Sequence, residues 1–330
     1  MGVTGSGKST FIQTATGDRS VGVNHGLRSC TGDVVVHSFR IDGCTVNLID
    51  TPGLVLPAFL CLINGLLKGL DSRFDDNKRS ETEVLQTISA YLAKAYYNKI
   101  HLNGIIYMHS IVQTRMGGSG VRSLGILERL VGKDNMGNVL LVSNMWDALK
   151  QTVNLDDGRQ YTGQEIGEMR ERELSSGEEF WKRLIDLGAH TSRHRGDSRY
   201  SARKLIQRFL SPTSHHMGMP MKLQLQYELV DKRLRLEETE VGQYINAKLY
   251  EGLQILEKEM EDLKRRYQRA DRSTTRSELE TLLDHKKRGL SHLWRKAEIL
   301  GKRVDELVDE QGDKVTGRTS GTHAGLCSVM

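Results

Sequence analysis

The sequence has few cysteines, little excess charge and no long apolar run, and each shortage excludes a class of protein. The four cysteines lie far apart with no Cys-x-x-Cys pair, which argues against a zinc site or a disulfide framework and favours a reducing, intracellular setting. A net charge of +5 in 330 residues is too small to indicate nucleic-acid binding. The most apolar stretch, residues 54–67, is too short to span a bilayer. We therefore expect a cytoplasmic protein without a secretory signal.

A phosphate-binding loop stands at the start of the sequence. Residues 2–9 read Gly-Val-Thr-Gly-Ser-Gly-Lys-Ser, and the glycines allow successive backbone N–H groups to turn toward one anion. Lys8 would reach the β- and γ-phosphates, and the Ser9 hydroxyl would ligate Mg²⁺. The residues predicted to contact nucleotide are Gly2, Thr4, Gly5, Ser6, Gly7, Lys8, Ser9 and Thr10. Because this loop normally follows a buried strand, we expect a domain without its first strand.

Up to residue 212, short apolar runs alternate with longer amphipathic ones, a pattern typical of a parallel sheet with crossover helices. The predicted strands are residues 33–39, 45–50, 104–110, 138–143 and, more weakly, 188–193. Helices are predicted over residues 81–97 and 201–210, with a first helix from Ser9 that stops at Gly17. The predicted class is α/β: a P-loop NTPase G domain with a mostly parallel sheet flanked by helices.

The remainder of the chain has a different character. Residues 213–221 are rich in His, Met and Gly and predict a linker, whereas residues 222–310 are helical in pattern. Apolar residues from Leu249 to Tyr267 and from Leu290 to Leu307 repeat at spacings of three and four, which is heptad patterning. A hairpin of helices and an intermolecular coiled coil fit this pattern equally. Residues 311–330 are rich in Gly, Ser and Thr and are predicted to be disordered.

Three further positions complete a predicted Mg²⁺ and γ-phosphate site. Asp50 ends an apolar strand, where its carboxylate would hold Mg²⁺, usually through a water, and the N–H of Gly53 would approach the γ-phosphate. Thr31 lies between the P-loop and that strand, and its hydroxyl would complete the Mg²⁺ coordination as a switch loop does. The predicted metal ligands are Ser9, Thr31 and Asp50. The predicted catalytic residues are Lys8, Thr31 and Gly53.

Asn144 and Asp147 follow a later apolar strand and are predicted to select the base. A carboxylate at Asp147 accepts hydrogen bonds from guanine N1–H and N2–H₂, whereas adenine has an acceptor at N1 and leaves that carboxylate unmatched. Asn144 would tie this loop to the P-loop. Met145 stands where a lysine usually stacks on the base. A simple Asn/Asp turn after a strand is the alternative interpretation.

The order of these motifs resembles that of the translation-factor-class GTPases. Three segments are specific for a smaller group within that class: the residues of the P-loop, the Asn144-Met145-Trp146 sequence and the segment 115–118. They are similar to a group of fungal G-domain proteins allied to the septin, chloroplast-import (Toc) and immune-associated nucleotide-binding GTPases. The resemblance covers about residues 2–212. It implies binding of GTP and GDP with Mg²⁺, slow hydrolysis, and coupling to G-domain dimerisation.

Three features depart from the pattern of that family. The first strand is missing, no guanine-recognising Ser-Ala loop is legible before Ser201, and Leu54 follows Gly53 where Ras-like proteins place a water-orienting glutamine. Joining Gly53 directly to Phe74 would give an unbroken switch II. Residues 54–73 are therefore predicted to be an insertion, either a retained intron or an ordinary loop extension.

The sequence as a whole predicts a Mg²⁺-dependent GTP-binding switch with low intrinsic hydrolysis, whose helical region binds a protein partner. A homodimer through the G domain or a coiled coil is part of this expectation. The last four residues match a prenylation box at Cys327, which would add peripheral membrane association. Two alternatives stay open: a coiled-coil interaction protein whose truncated G domain no longer binds nucleotide, and an ATP-binding P-loop protein.

Overall fold

The fold is taken from a computed structural model of the full chain. It describes residues 1–18, 21, 33–53, 81–149, 152–154, 158–196, 198–210, 218–270, 273–311 and 326–330. Thr31 and the predicted insertion 54–73 lie outside the described residues. In the described part of the chain, no helix combines the length and apolarity needed to cross a membrane.

A single twisted layer of strands forms the centre of the molecule. Within the described residues, six strands of at least four residues lie side by side in the order β1-β2-β6-β3-β4-β5. Their bounds are β1 Val35–Ile41, β2 Cys44–Asp50, β3 Ile105–Ser110, β4 Val139–Asn144, β5 His190–Arg193 and β6 Leu326–Val329. β1 and β2 form an antiparallel hairpin, and the other neighbours are parallel. A separate two-residue ladder joins Val153–Asn154 to Gln160–Tyr161.

The five predicted strands are all found, each with its ends within two residues of the prediction. The central pair was the easiest to recognise because every residue of β3 and β4 is buried. Parallel strands covered by helices on both faces read as continuous apolar runs, and these two do. The predicted α/β class is thereby confirmed.

The strand β6 corrects the prediction for the end of the sequence. Residues 311–330 were expected to be disordered, but the last five of them are ordered in the sheet, with Cys327 paired to Val46 and Val329 to Leu48. As expected, no strand precedes the P-loop in the described residues. The position between β2 and β3 is taken by β6, which comes from the other end of the sequence.

Helices cover both faces of the sheet. Their bounds are α1 Lys8–Thr16, α2 Glu81–Tyr97, α3 Gly118–Val131, α4 Gly163–Ser176, α5 Lys182–Asp186, α6 Arg199–Gln207, α7 Glu240–Arg269, α8 Ser273–Leu300 and α9 Val304–Gln311. Ile106 and Met108 of β3 pack with α1 and α6, whereas Ile105 and Tyr107 belong to the apolar cluster of α2 and α3. This alternation follows from the two-residue period of a strand, and it gives three layers.

The helical region folds back on the three-layer domain. α7 and α8 form a hairpin in which Leu263 packs with Leu279 and Leu283, and Lys286 Nζ donates to Glu259 Oε2 at 2.6 Å between them. The heptad residues of α7 are thus buried within one chain. A coiled coil between two chains stays a prediction. Of the predicted linker, the structure describes residues 218–221, and there Met221 N–H donates to Leu102 O at 2.8 Å.

His109 of β3 gives the fold a predictable acid sensitivity. Its ring is 4% exposed and lies edge-on to Trp181 at 6.0 Å, and burial lowers its pKa to about 4. Between pH 7 and pH 5 the unfolded chain therefore takes up a proton that the folded chain does not. We expect this to lower the free energy of unfolding by about 2 kcal/mol.

Urea titrations at the two pH values measure the effect. His109→Phe should remove that part of the pH dependence, whereas His101→Asn, at an exposed histidine, should leave it unchanged. An identical pH dependence in His109→Phe and the wild type would contradict the prediction.

Candidate functional site

The P-loop lies at the carboxyl edge of the sheet and leads into α1. Met1 donates its N–H to Ile106 O at 2.6 Å and accepts from Met108 N–H at 2.9 Å, so the chain enters the loop alongside β3. Gly7 is the N-cap of α1 with a φ of 90°, and Gly17 ends the helix with a φ of 77°, as the sequence predicts. The loop therefore presents backbone N–H groups and the positive end of a helix dipole at one point.

Lys8 is the partly buried cation of this loop. Its Nζ donates to Gly2 O at 3.0 Å and to Val3 O at 3.1 Å. Burial lowers the pKa of the ammonium to about 8, although the nearby Asp50 carboxylate opposes the shift. A cation that has lost part of its hydration is stabilised by an arriving anion more than a fully exposed one would be.

Two glycines of the loop leave no room for a side chain. A Cβ on Gly2 would overlap the carbonyl oxygen of Met108, and one on Gly7 would overlap Asn144 Nδ2. The buried hydroxyls of Thr4 and Ser6 have no hydrogen-bond partner in the described structure. Buried hydroxyls are normally satisfied, so two donors at the loop suit the oxygens of a phosphate group.

Asp50 and Ser9 meet as predicted for a Mg²⁺ site. Ser9 Oγ donates to Asp50 Oδ2 at 2.8 Å, which brings the loop hydroxyl and the strand carboxylate together. Gly53 lies against Thr4, where a Cβ would overlap the threonine hydroxyl. The described residues contain no cluster of three His, Cys, Asp or Glu side chains able to hold a metal. The oxygen donors fit Mg²⁺ that is coordinated mainly by phosphate and water.

Asn144 joins the second predicted motif to the first. It ends β4, and its Nδ2 donates to Ser6 O at 3.1 Å, which is the predicted tie to the P-loop. Met145 then adopts a left-handed conformation with a φ of 65°, and Ser110 Oγ donates to its sulfur at 3.2 Å. Asp147 follows in a short helical turn with its side chain exposed. The carboxylate therefore stands at the rim of the same edge as the P-loop.

A loop that sequence reasoning did not assign faces Asp147. Residues 194–196 follow β5, and a Cβ on Gly196 would lie 3.0 Å from Asp147 Oδ2. His194 N–H donates to Ser143 O at 2.9 Å, and Ser201 Oγ accepts from Arg195 N–H at 3.3 Å. No Ser-Ala pair marks this loop. The available signal was its position, because a glycine three residues after the strand places its backbone at the carboxyl edge.

The turn that carries Asp147 is also held in place by side chains of β4, β5 and α4. The Arg193 guanidinium lies 4.4 Å from the centre of the Trp146 ring, and its Nε donates to Glu171 Oε2 at 2.7 Å. Glu171 accepts from Ser143 Oγ through its other oxygen at 2.7 Å. Trp146 donates its indole N–H to Ser143 Oγ at 3.1 Å. These four side chains hold the turn before Asp147 against β4 and β5.

Residues 1–108 match the family model described as 50S ribosome-binding GTPase. The matched segment contains the P-loop, Asp50 and Gly53. Together with the parallel strand order and the helices on both faces, this match decides the fold. The fold is that of a P-loop GTPase. None of the curated proteins matches the chain.

The GTPase fold is also similar to solved structures of Toc33 from Arabidopsis thaliana. One holds Mg²⁺ and GMPPNP (19% identity, TM-score 0.39), one holds GDP and Mg²⁺ (20%, 0.39), and one is a dimerization-deficient mutant (16%, 0.40). Each comparison covers 58% of this chain and 67% of the other. The likeness is weak at these TM-scores, so the assignment rests on the family match and the strand order.

Alanine at Gly5 and at Gly7 distinguishes the cost of backbone strain from the cost of a steric overlap. Both Gly5 and Gly7 have positive φ, but a Cβ on Gly5 would meet nothing within 4 Å, whereas one on Gly7 would overlap Asn144. Gly5→Ala should therefore cost about 1–2 kcal/mol of unfolding free energy from the left-handed conformation alone. Gly7→Ala should cost about 1 kcal/mol more than Gly5→Ala.

Urea unfolding without nucleotide measures both variants. Gly117→Ala, at a glycine with ordinary φ and open space around its Cβ, is the control. Equal losses in Gly5→Ala and Gly7→Ala would show that Asn144 does not press on the loop.

Proposed function

We propose that this chain binds GTP and GDP with Mg²⁺ and hydrolyses GTP slowly. The observation that carries the proposal is the hydrogen bond from Asn144 Nδ2 to Ser6 O. It connects the loop suited to a base with the loop suited to phosphates, so both ends of one nucleotide are served at one edge of the sheet. A phosphate loop alone would support an ATPase or a kinase equally well.

The phosphate end is divided among a few groups. The backbone N–H groups of the P-loop and the Lys8 ammonium would bind the β- and γ-phosphates, with Gly53 N–H near the γ-phosphate. Ser9 and Asp50 would hold Mg²⁺, with Thr31 as the proposed third protein ligand. When bound, the metal neutralises charge on the phosphates.

The base end favours guanine over adenine. Asp147 would accept from guanine N1–H and N2–H₂, and the adjacent Gly196 leaves room for its carboxylate. The side chain of Met145, in place of the usual lysine, would cover the base without a cation. These features argue against the ATP-binding alternative.

Slow hydrolysis follows from what stands after Gly53. Leu54 has no group able to orient a water molecule, and a bound Mg²⁺ and the P-loop would stabilise the phosphates without activating the attacking water. Arg115 is exposed in the loop after β3, where it would be available as an arginine finger to a second copy of the domain. G-domain dimerisation and a cytoplasmic location are part of this proposal.

The helical region is the proposed surface for a protein partner. Tyr250 and Ile255 on α7 and Trp294 on α8 are exposed at 44%, 36% and 50%. Large apolar side chains on a surface helix are suited to an apolar partner. The same surface would serve the alternative, an interaction protein that binds no nucleotide. Binding of fluorescent GDP, described next, distinguishes the two.

Binding of fluorescent GDP to the full chain tests the proposal. We expect saturable binding in Mg²⁺ that weakens by about tenfold in EDTA, because the cation neutralises phosphate charge. Unlabelled GTP should compete at least about 100-fold better than ATP. Equal competition by ATP would favour the ATP-binding alternative, and absence of binding would favour the interaction protein.

A single substitution tests whether Asp147 recognises the base. Asp147→Asn should weaken GTP by about 100-fold and improve xanthosine triphosphate, because the amide donates where the carboxylate only accepts. Asp134→Asn, at an exposed aspartate before the amino end of β4, is the matched control and should change neither affinity. An unchanged GTP affinity in Asp147→Asn would remove Asp147 from the base site.

A further inference from the structure

The end of the described chain and Met1 together form one interrupted strand beside β3. Met330 N–H donates to Gly104 O at 3.0 Å, and Met330 O accepts from Ile106 N–H at 2.7 Å. Met1 continues the same ladder, donating to Ile106 O and accepting from Met108 N–H. Residues of a parallel strand pair in this way at every second position. Met330 and Met1 therefore occupy positions two apart along a single strand.

β6 also pairs with β2 along its other edge, and one of its faces packs beneath α1. Residues 326–329 pair in parallel with residues 45–48 of β2. Val329 is 1% exposed and belongs to the apolar cluster that contains Phe11 and Ile12 of α1. Ser328 N–H donates to Asn103 Oδ1 at 2.9 Å. Backbone bonds on both edges and packing beneath α1 thus join the C-terminus to the helix that follows the P-loop.

We propose that residues 326–330 are a working part of the nucleotide site, and that nucleotide binding depends on this C-terminal strand. The inference rests on the proposed function of the same P-loop. Without β6, backbone groups of β2 and β3 would face each other across an unfilled gap at the centre of the sheet, and buried backbone groups must be paired. The entry of the P-loop at Met1 and the position of Asp50 on β2 would then lose their common support.

Cys327, the cysteine of the predicted prenylation box, is buried in β6. Cys327 is 6% exposed, and its sulfur lies 3.9 Å from Phe209 O. Burial raises the pKa of the thiol to about 12, so it is a poor nucleophile while the strand is in place. Prenylation of Cys327 and insertion of β6 exclude each other. Lipid attachment would require the strand to leave the sheet and would therefore disrupt the P-loop.

Deletion of residues 326–330 tests the proposal directly. We expect the affinity for fluorescent GDP to fall about 100-fold, because the P-loop loses the strand that holds it. The synthetic peptide Leu-Cys-Ser-Val-Met added to the truncated chain should restore affinity to within about tenfold of the full chain, whereas a scrambled peptide should not. Undiminished affinity in the truncated chain would overturn the proposal.

Point variants supply a matched pair in the full-length chain. Val329→Asp places a charge in the apolar cluster beneath α1 and should lower GDP affinity as the deletion does. Tyr97→Asp places the same charge at an exposed side chain of α2, 52% accessible to solvent, and should bind as the wild type. Circular dichroism follows the helical content of each variant. Loss of affinity with helical content retained supports the proposal, and equal affinity in the two variants contradicts it.

A thiol measurement tests the strand without nucleotide. In a variant with Cys30, Cys44 and Cys61 replaced by serine, Cys327 should react with a maleimide about 100-fold more slowly than in urea, because its thiol is buried. Reaction as fast as in urea would overturn the inserted strand. If the full chain fails to bind GDP while Cys327 is protected, the proposed function is wrong and the strand assignment stands.

Discussion

The backbone pairing of β6 between β2 and β3 is the interaction on which the rest of the structure depends. In the described sheet, β2 has β1 on one edge and β6 on the other, so the hairpin that carries Asp50 joins the parallel strands through β6. The P-loop enters beside the same strand at Met1. Because unpaired backbone groups in the centre of a sheet are costly, the two halves of the site keep their spacing only while this strand is inserted.

The candidate site combines groups that each depend on a neighbour. Lys8 is partly buried and donates to two loop carbonyls, Asp50 accepts from the Ser9 hydroxyl, and Asn144 donates to the carbonyl of Ser6. A partly buried ammonium and unpartnered loop hydroxyls are unfavourable in isolation and favourable beside an anion. These groups are thus more favourable with a phosphate-bearing ligand bound than in the free protein.

Much of this site could be predicted from local sequence. The P-loop, the aspartate at the end of β2 and the Asn144–Asp147 spacing each specify a short piece of backbone. The strands that end at Asp50 and Asn144 are apolar enough to be recognised alone. The loop at residues 194–196 could not be assigned, because it meets Asp147 through backbone and Gly196 rather than through a characteristic side chain. The heptads of α7 and α8 predicted helices, but the choice of an intrachain hairpin required the partner surfaces to be known.

The sequence by itself determined the local elements: five strands, the loop between Gly2 and Ser9, and long helices after residue 222. Periodicity and glycine placement act over a few residues, and they can be read without knowing the fold. Only the tertiary structure decided that residues 326–330 enter the sheet beside Met1. Their pairing with β2 and β3 is made by backbone groups that every residue carries, so a short segment in a Gly, Ser and Thr-rich tail shows nothing of its partner. The segment is placed by the open position between β2 and β3, because the backbone groups of these strands need partners there.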